Sequence, residues 1–101
     1  MSNRLIAVIE QGEEESFAYG IETTNWGSAP SGMIVKAYDI SDGGYTDVSS
    51  TVLSGSASIE GDIITLPVLS GLTAGKTYRI EIKFTAGGNT FEPFLIVECR
   101  K

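Results

Sequence analysis

Apolar and polar residues alternate most regularly between residues 78 and 85. The apolar members of this alternation are Tyr78, Ile80, Ile82 and Phe84, and the polar members are Arg79, Glu81, Lys83 and Thr85. Successive side chains of a β-strand point to opposite faces of a sheet, so this pattern predicts a strand with one buried face.

Shorter runs of the same kind predict further strands, separated by turn sequences rich in glycine, serine and aspartate. The eight runs cover residues 4–10, 16–22, 32–40, 45–53, 56–60, 63–69, 76–86 and 90–99. In the second run, Phe17, Tyr19 and Ile21 are expected to alternate inward. Pro93 has no N–H group for a ladder, so we expect an edge position or a bulge there. No apolar period of 3.6 residues extends far enough to predict a helix.

Leu72, Gly75 and Tyr78 have the Leu-x-x-Gly-x-x-Tyr spacing of a tyrosine corner, which occurs where one strand of an immunoglobulin-like sandwich turns into the next. We expect Gly75 to let the chain cross over, and the Tyr78 hydroxyl to bond a backbone group a few residues upstream. The patterns together predict an all-β fold, an immunoglobulin-like antiparallel β-sandwich of about seven strands. A length of 101 residues suits a single domain over residues 1–101.

A net charge of −6 argues against nucleic acid and anionic membrane surfaces as partners, because both repel an acidic domain. No apolar run approaches the roughly 18 residues that span a bilayer. The apolar stretch at residues 5–9 is too short for the core of a signal peptide, so a cytoplasmic location is expected unless something carries the chain out. Cys99 is the only cysteine, which excludes an intrachain disulfide. We expect it to be a small buried hydrophobe, with an intermolecular disulfide or a reactive thiol as the alternative.

The chain contains no histidine, which excludes Ser-His-Asp and Cys-His catalysis and histidine-containing zinc sites. Carboxylates are plentiful, but a small sandwich without a long loop has little room for a cleft between two of them. We therefore predict a protein that is not an enzyme, with no catalytic residue, metal or cofactor. The segment at residues 39–43 lacks the EF-hand spacing. Calcium binding at Asp39, Asp42 and Asp47, or at the cluster of Glu13, Glu14 and Glu15, is therefore only an alternative to solvated turns and solubilising charge.

Aromatic residues supply the candidates for an interface, and these are Trp26, Tyr38, Tyr45 and Phe91. An exposed Trp26 could stack on sugar or anchor a partner protein, and burial under the sandwich is the alternative. Tyr38 and Tyr45 flank the turn at residues 41–44 and suit either core or contact. Phe91 and Phe94 are expected in the core, and Phe91 is also kept as a possible contact residue.

Several short motifs follow one another in an order that is found in a known group of proteins. They are the acidic run at residues 13–15, the strand at 17–22, Trp26, the corner at 69–78 and the terminal strand at 96–101. In this order they resemble the small acidic immunoglobulin-like proteins of caudate phages and prophages. The resemblance implies a structural or accessory protein of the virion that acts by protein–protein contact in head–tail or tail assembly. Other virion proteins would be its partners, a homo-oligomer is possible, and the chain would reside in the virion, or in the host cytoplasm before assembly.

A carbohydrate- or cell-surface-binding module is the alternative from a different functional class. Trp26 and Tyr45 would then form a stacking platform for sugar rings, beside a calcium site between Asp39 and Asp47.

Overall fold

The computed structural model describes residues 4–24, 26–27 and 29–101, so residues 1–3, 25 and 28 of the predicted domain lie outside the described part. Regular structure in the described part is nearly all β-strand. The elements in chain order are β1 (Leu5–Gly12), β2 (Gly20–Glu22), β3 (Ser31–Asp39), β4 (Thr46–Asp47), α1 (Ser49–Val52), β5 (Leu53–Ser54), β6 (Ser58–Glu60), β7 (Ile63–Thr65), β8 (Val68–Leu69), β9 (Thr77–Ala86), β10 (Asn89–Phe91) and β11 (Phe94–Arg100).

The larger sheet, called the first sheet below, has the strand order β1-β11-β9-β3-β4, and β10 also pairs with β9. Its strand pairs are antiparallel except at one edge, where β1 and β11 run parallel, with Val8 beside Ile96. The prediction of an antiparallel sandwich is therefore wrong for this pair. Parallel neighbours need a long connection instead of a hairpin, and here the rest of the domain lies between them.

The second layer consists of the sheet β2-β7-β6 and the pair β5-β8. Backbone hydrogen bonds join the two parts: the Leu66 N–H donates to the Tyr19 carbonyl at 2.8 Å, and Phe17 and Leu69 exchange bonds of 3.1 and 2.7 Å. One layer thus holds β3, β9 and β11 while the other holds β2, β6 and β7, which is the division of strands in an immunoglobulin sandwich. The predicted all-β sandwich fold is confirmed.

The core lies between the layers and is centred on β9. Tyr78, Ile80, Ile82 and Phe84 are each at most 3% exposed, as their alternation predicts. The second layer contributes a matching apolar set, which comprises Ile21, Ile64, Leu66 and Leu69. Burial of this apolar surface is the main stabilising term in a domain that has no disulfide.

Of the three residues expected to point inward in the run at residues 16–22, only Ile21 is fully buried, at 3% exposure. Tyr19 is half-buried, and Phe17 is 48% exposed. Phe17 lies at the margin of the sandwich, where a single bridge to Leu69 replaces a full ladder. The expectation of an inward Phe17 is therefore wrong, because Phe17 lies outside β2 and its isolated bridge does not continue the alternation of that strand.

The predicted strand at residues 45–53 is also wrong as a single element, because it is divided into β4, α1 and β5. Local side-chain bonds explain the break. The Asp47 carboxylate accepts the Ser49 N–H at 2.9 Å, and the Ser49 hydroxyl accepts the Ala37 N–H at 2.8 Å. Asp and Ser side chains that bond nearby backbone compete in this way with a strand ladder.

Pro93 lies between β10 and β11 and interrupts the strand without shifting its register. Phe91 lies opposite Phe84 before the break, and Phe94 lies opposite Glu81 after it, so no extra residue is inserted and there is no bulge. The Pro93 carbonyl still accepts the Ile82 N–H at 2.9 Å. In the described part, β10 has only β9 as a neighbour, which is the edge setting that tolerates proline.

The tyrosine corner has a specific hydrogen bond at its centre. The Thr73 N–H donates to the Tyr78 hydroxyl at 2.9 Å, five residues upstream of the tyrosine. Leu72 is 4% exposed and packs into the core, while Gly75 has φ of +86°, a conformation that favours glycine. The Gly75 N–H donates to the Cys99 carbonyl at 2.9 Å, which ties the corner to β11.

Gln11 is a polar residue that the core has enclosed, at 1% exposure. Its side-chain amide donates to the Leu69 carbonyl at 2.8 Å and to the Glu15 carbonyl at 2.9 Å, and its side-chain oxygen accepts the Tyr19 hydroxyl at 2.7 Å. Burial, and then the charge of Glu15, raise the pKa of Tyr19, which keeps that hydroxyl protonated as a donor. Gln11 thereby links the edge of the first sheet to the second layer.

Replacing Gln11 by leucine is expected to destabilise the fold by about 2–3 kcal/mol, because the Leu69 and Glu15 carbonyls and the Tyr19 hydroxyl each lose a hydrogen bond. Tyr19→Phe removes only one of the three bonds and should cost about 1 kcal/mol. Urea unfolding of both variants provides the measurement. A Gln11→Leu variant as stable as wild type would show that this link contributes nothing.

Replacing Tyr78 by phenylalanine should cost about 1 kcal/mol, because the Thr73 N–H loses its acceptor while the ring stays in the core. Tyr45→Phe is the matched control, since Tyr45 is 61% exposed and should give no measurable change. Equal midpoints for Tyr78→Phe and wild type in urea melts would contradict a stabilising corner bond.

Candidate contact surface

The side of the first sheet that faces away from the core carries a mixed set of side chains, and this surface is called the outer face below. Alternation places it opposite the buried residues of each strand. Its central members are Val8, Ile34, Lys36, Tyr38, Tyr45, Arg79, Glu81, Lys83, Phe94 and Ile96. Val8, Ile34 and Tyr45 are more than half exposed, at 58%, 51% and 61%.

Arg79 organises the centre of the outer face. Its guanidinium carbon lies 3.7 Å from the centre of the Phe94 ring and 5.5 Å from that of the Tyr45 ring, within the range of cation–π attraction. Its Nε donates to the Glu81 carboxylate at 2.7 Å. The Tyr45 ring also meets the Tyr38 ring edge-on, with centroids 5.7 Å apart. The Arg79 side chain is only 14% exposed as a result, and its charge is held in a fixed position.

A groove of about 230 Å³ lies beside this cluster, over β3 and β9. Its lining residues are Ile34, Lys36, Tyr38, Glu81, Lys83 and Glu92. Apolar, aromatic, cationic and anionic groups thus meet in one depression. Such a lining suits an amphipathic protein surface better than a purely apolar or purely anionic ligand.

Two of the four predicted interface residues meet on the outer face, and two do not. Tyr38 and Tyr45 contact each other there. Trp26 and Phe91 pack instead against Phe84 on the core side, with ring centroids at 6.2 and 5.7 Å. Both are half-buried, which is the alternative considered for Trp26.

The predicted sugar platform of Trp26 and Tyr45 is not formed. Trp26 contacts Phe84 and Tyr45 contacts Arg79, and these two β9 residues project to opposite sides of the sheet. The two aromatic rings are therefore separated by the sheet.

The aspartates of the alternative calcium site already have partners. Asp39 bonds Ser41 and accepts from Lys76 at 2.9 Å, and these contacts lower the pKa of Asp39 to about 2, with the Ser41 bonds as the largest cause. Bonds from Ser49, and then the charge of Lys36, lower the pKa of Asp47. Within the described residues, no three acidic, cysteine or histidine side chains group as metal ligands would.

Cys99 faces the core, at 1% exposure. Burial, and then the charge of Glu13, raise the pKa of its thiol. Because the thiolate is the reactive form, this environment favours the expected structural role over a reactive one.

Phe94 and Arg79 are the residues whose role sequence reasoning missed. Phe94 was expected in the core, but it is half-buried on the outer face beneath the Arg79 guanidinium, so that expectation is wrong. The signal that was available is the odd spacing of Phe91 and Phe94, because two residues three apart in one strand point to opposite faces of the sheet. The contact between Arg79 and Phe94 depends on the register of β9 and β11, which cannot be read from the local sequence pattern.

No protein-family model matches this chain, and no curated protein matches it either. In the described part, no helix has the length and apolar character needed to cross a membrane.

Arg79 and Tyr45 are expected to be coupled energetically. In a double-mutant cycle with Arg79→Met and Tyr45→Ala, we expect a coupling of about 0.5–1 kcal/mol in the free energy of unfolding, from the cation–π contact. Lys83→Ala combined with Tyr45→Ala is the matched control and should be additive. A coupling of zero for the Arg79 pair would contradict the fixed cluster.

Proposed function

We propose that this chain is a non-enzymatic contact protein that binds another protein through the outer face of its first sheet. The single observation that carries the proposal is the cluster of Arg79, Phe94, Tyr45 and Tyr38, which is ordered and yet partly open to solvent. Aromatic residues and arginine contribute most of the binding energy in typical protein interfaces.

The order of the cluster supports binding because it reduces the entropy lost on association. Arg79 contacts two aromatic rings and donates from its Nε to Glu81, so its rotamers are restricted before a partner arrives. Immobilising a free side chain of this kind at an interface costs about 0.5–1.5 kcal/mol. Tyr45, at 61% exposure, still has most of its ring available for contact.

We further propose that the partner is a structural protein of a phage or prophage virion, in the head–tail or tail region. Support for this step comes from the resemblance to small acidic immunoglobulin-like phage proteins. A virion role is compatible with this fold, because a domain stabilised by its core without a disulfide can fold and assemble in a reducing cytoplasm. The separation of Trp26 from Tyr45 leaves the carbohydrate-binding alternative with less support than protein contact.

The proposal predicts that the chain is part of the particles released by cells that encode it. Particles purified on a density gradient should contain wild-type chain, measured by mass spectrometry, and Tyr45→Asp should be depleted from them at least about tenfold, because one hot-spot residue is worth 2 kcal/mol or more. Phe17→Asp is the matched control, an exposed aromatic of the second layer that should be retained.

Both variants must first show wild-type thermal unfolding. Particles without the wild-type chain would contradict the virion role. Equal incorporation of Tyr45→Asp and wild type would contradict contact through the outer face.

A further inference from the structure

The Arg79 side chain is held in place, but most of its hydrogen-bond donors have no acceptor. Its Nε donates to the Glu81 carboxylate at 2.7 Å, and in the part of the chain that the structure describes neither Nη atom has an acceptor. No buried side-chain nitrogen or oxygen of the described residues lacks a partner, so both Nη atoms reach solvent. The small exposed part of Arg79 therefore includes the donors that are still free.

A second guanidinium lies against the same aromatic ring. The Arg4 guanidinium carbon is 5.8 Å from the centre of the Phe94 ring, and that of Arg79 is 3.7 Å from it. The Arg4 Nε donates to the Glu92 carbonyl at 3.0 Å, and the Arg4 Nη atoms have no acceptor among the described residues. Within that part of the chain, two arginines thus adjoin Phe94, and the Glu81 carboxylate bonds only one of them.

The free donors limit what can bind beside Phe94. Arginine carries donors and no acceptor, so a group that completes its hydrogen bonds has to be an acceptor. A planar anion with two oxygens fits best, because it matches the guanidinium fork and forms hydrogen bonds roughly twice as strong as neutral ones.

The surroundings of the two arginines favour a protein carboxylate over a free anion such as phosphate. The Tyr45 ring contacts Arg79, and Val8 lies in the same cross-strand row as Ile96 and Arg79. Tyr45 and Val8 are both more than half exposed. A partner protein can cover such apolar groups with the residues next to its carboxylate, whereas a small inorganic ion leaves them in water.

We propose that Arg79 and Arg4 bind the carboxylate of an aspartate or glutamate side chain that a partner protein places beside Phe94. The inference rests on the proposed function, because it names the chemistry of the partner at the same contact surface. The carboxylate would accept hydrogen bonds from the free Nη atoms. Because Arg79 is already fixed by Phe94 and Glu81, little side-chain entropy is lost when it binds.

Two peptides that differ only in one side-chain group test the need for a carboxylate. The probes are acetyl-Leu-Asp-Leu-amide and acetyl-Leu-Asn-Leu-amide, titrated to millimolar concentration while the side-chain NMR signals of Arg79 and Arg4 are followed. We expect the aspartate peptide to shift these signals and to bind at least about fivefold more tightly than the asparagine peptide. Inorganic phosphate at the same concentration should shift them less.

Variants then test which cation carries the binding. Arg79→Lys keeps the charge but removes the planar fork, and it should weaken the aspartate peptide at least about fivefold. Arg4→Met changes an exposed side chain, and it should also weaken binding, which keeps the test decisive if Arg79→Lys does not fold. Lys83→Met is the matched control, because Lys83 lies on β9 and lines the same face without adjoining Phe94. It should bind like wild type.

The proposal would be overturned by equal affinities for the two peptides, by the absence of shifts at Arg79 and Arg4, or by an equal loss in Lys83→Met. Tighter binding of phosphate would identify a phosphate site instead. Arg79 signals that move when the protein alone is concentrated would assign the carboxylate to a second copy and overturn the partner protein.

Incorporation into particles separates this inference from the proposed function. Arg79→Lys should be depleted from particles, as Tyr45→Asp should be. Retention of Arg79→Lys with loss of Tyr45→Asp would remove the carboxylate and leave the contact function standing. Selective binding of the aspartate peptide, with both variants retained in particles, would do the reverse.

Discussion

Strand β9 places its apolar side chains in the core and its charged side chains on the outer face. The stability of the fold and the proposed contact surface both depend on this alternation. Ile80, Ile82 and Phe84 meet the second layer with essentially no exposure. Arg79, one residue away from Ile80, projects to the other side and orders the outer face. A shift of one residue in the register of β9 would exchange the two sets, so the core and the contact surface depend on the same ladder.

Two polar side chains stabilise the end of the first sheet at which β9 begins. The Tyr78 hydroxyl fixes the corner that delivers the chain into β9, by accepting the Thr73 N–H. Gln11 lies at the same end, beside Cys99 of β11, and links the two layers with three side-chain hydrogen bonds. Fully satisfied buried polar groups of this kind specify one arrangement of the layers, because any other leaves them unpaired.

Much of the fold was predictable from local pattern, and most of the contact surface was not. The alternation at residues 78–85 and the spacing of Leu72, Gly75 and Tyr78 depend on neighbouring residues, so the sequence alone indicates them. The Arg79–Phe94 contact, the parallel pairing of β1 with β11 and the enclosure of Gln11 join residues far apart in the chain. These contacts depend on how the strands are aligned with one another, and the alternation within a single strand does not specify that alignment.

Basic residues are distributed unevenly between the two layers of the sandwich. The seven cations lie on strands of the first sheet or directly beside their ends, whereas residues 37–75, which supply most of the second layer, contain no lysine or arginine. A partner at the outer face would therefore meet charges of both signs, whereas the strands of the second layer present the carboxylates of Glu22 and Glu60.

The NMR chemical shifts of the Arg79 side chain would test the central claim most directly, because the account places its guanidinium against the Phe94 ring on the outer face. We expect the Arg79 side-chain protons of the wild type to be shifted upfield by the ring current, and this shift to be lost in Phe94→Leu. Arg79 protons with the chemical shifts of an unstructured arginine, or shifts that Phe94→Leu leaves unchanged, would contradict the account.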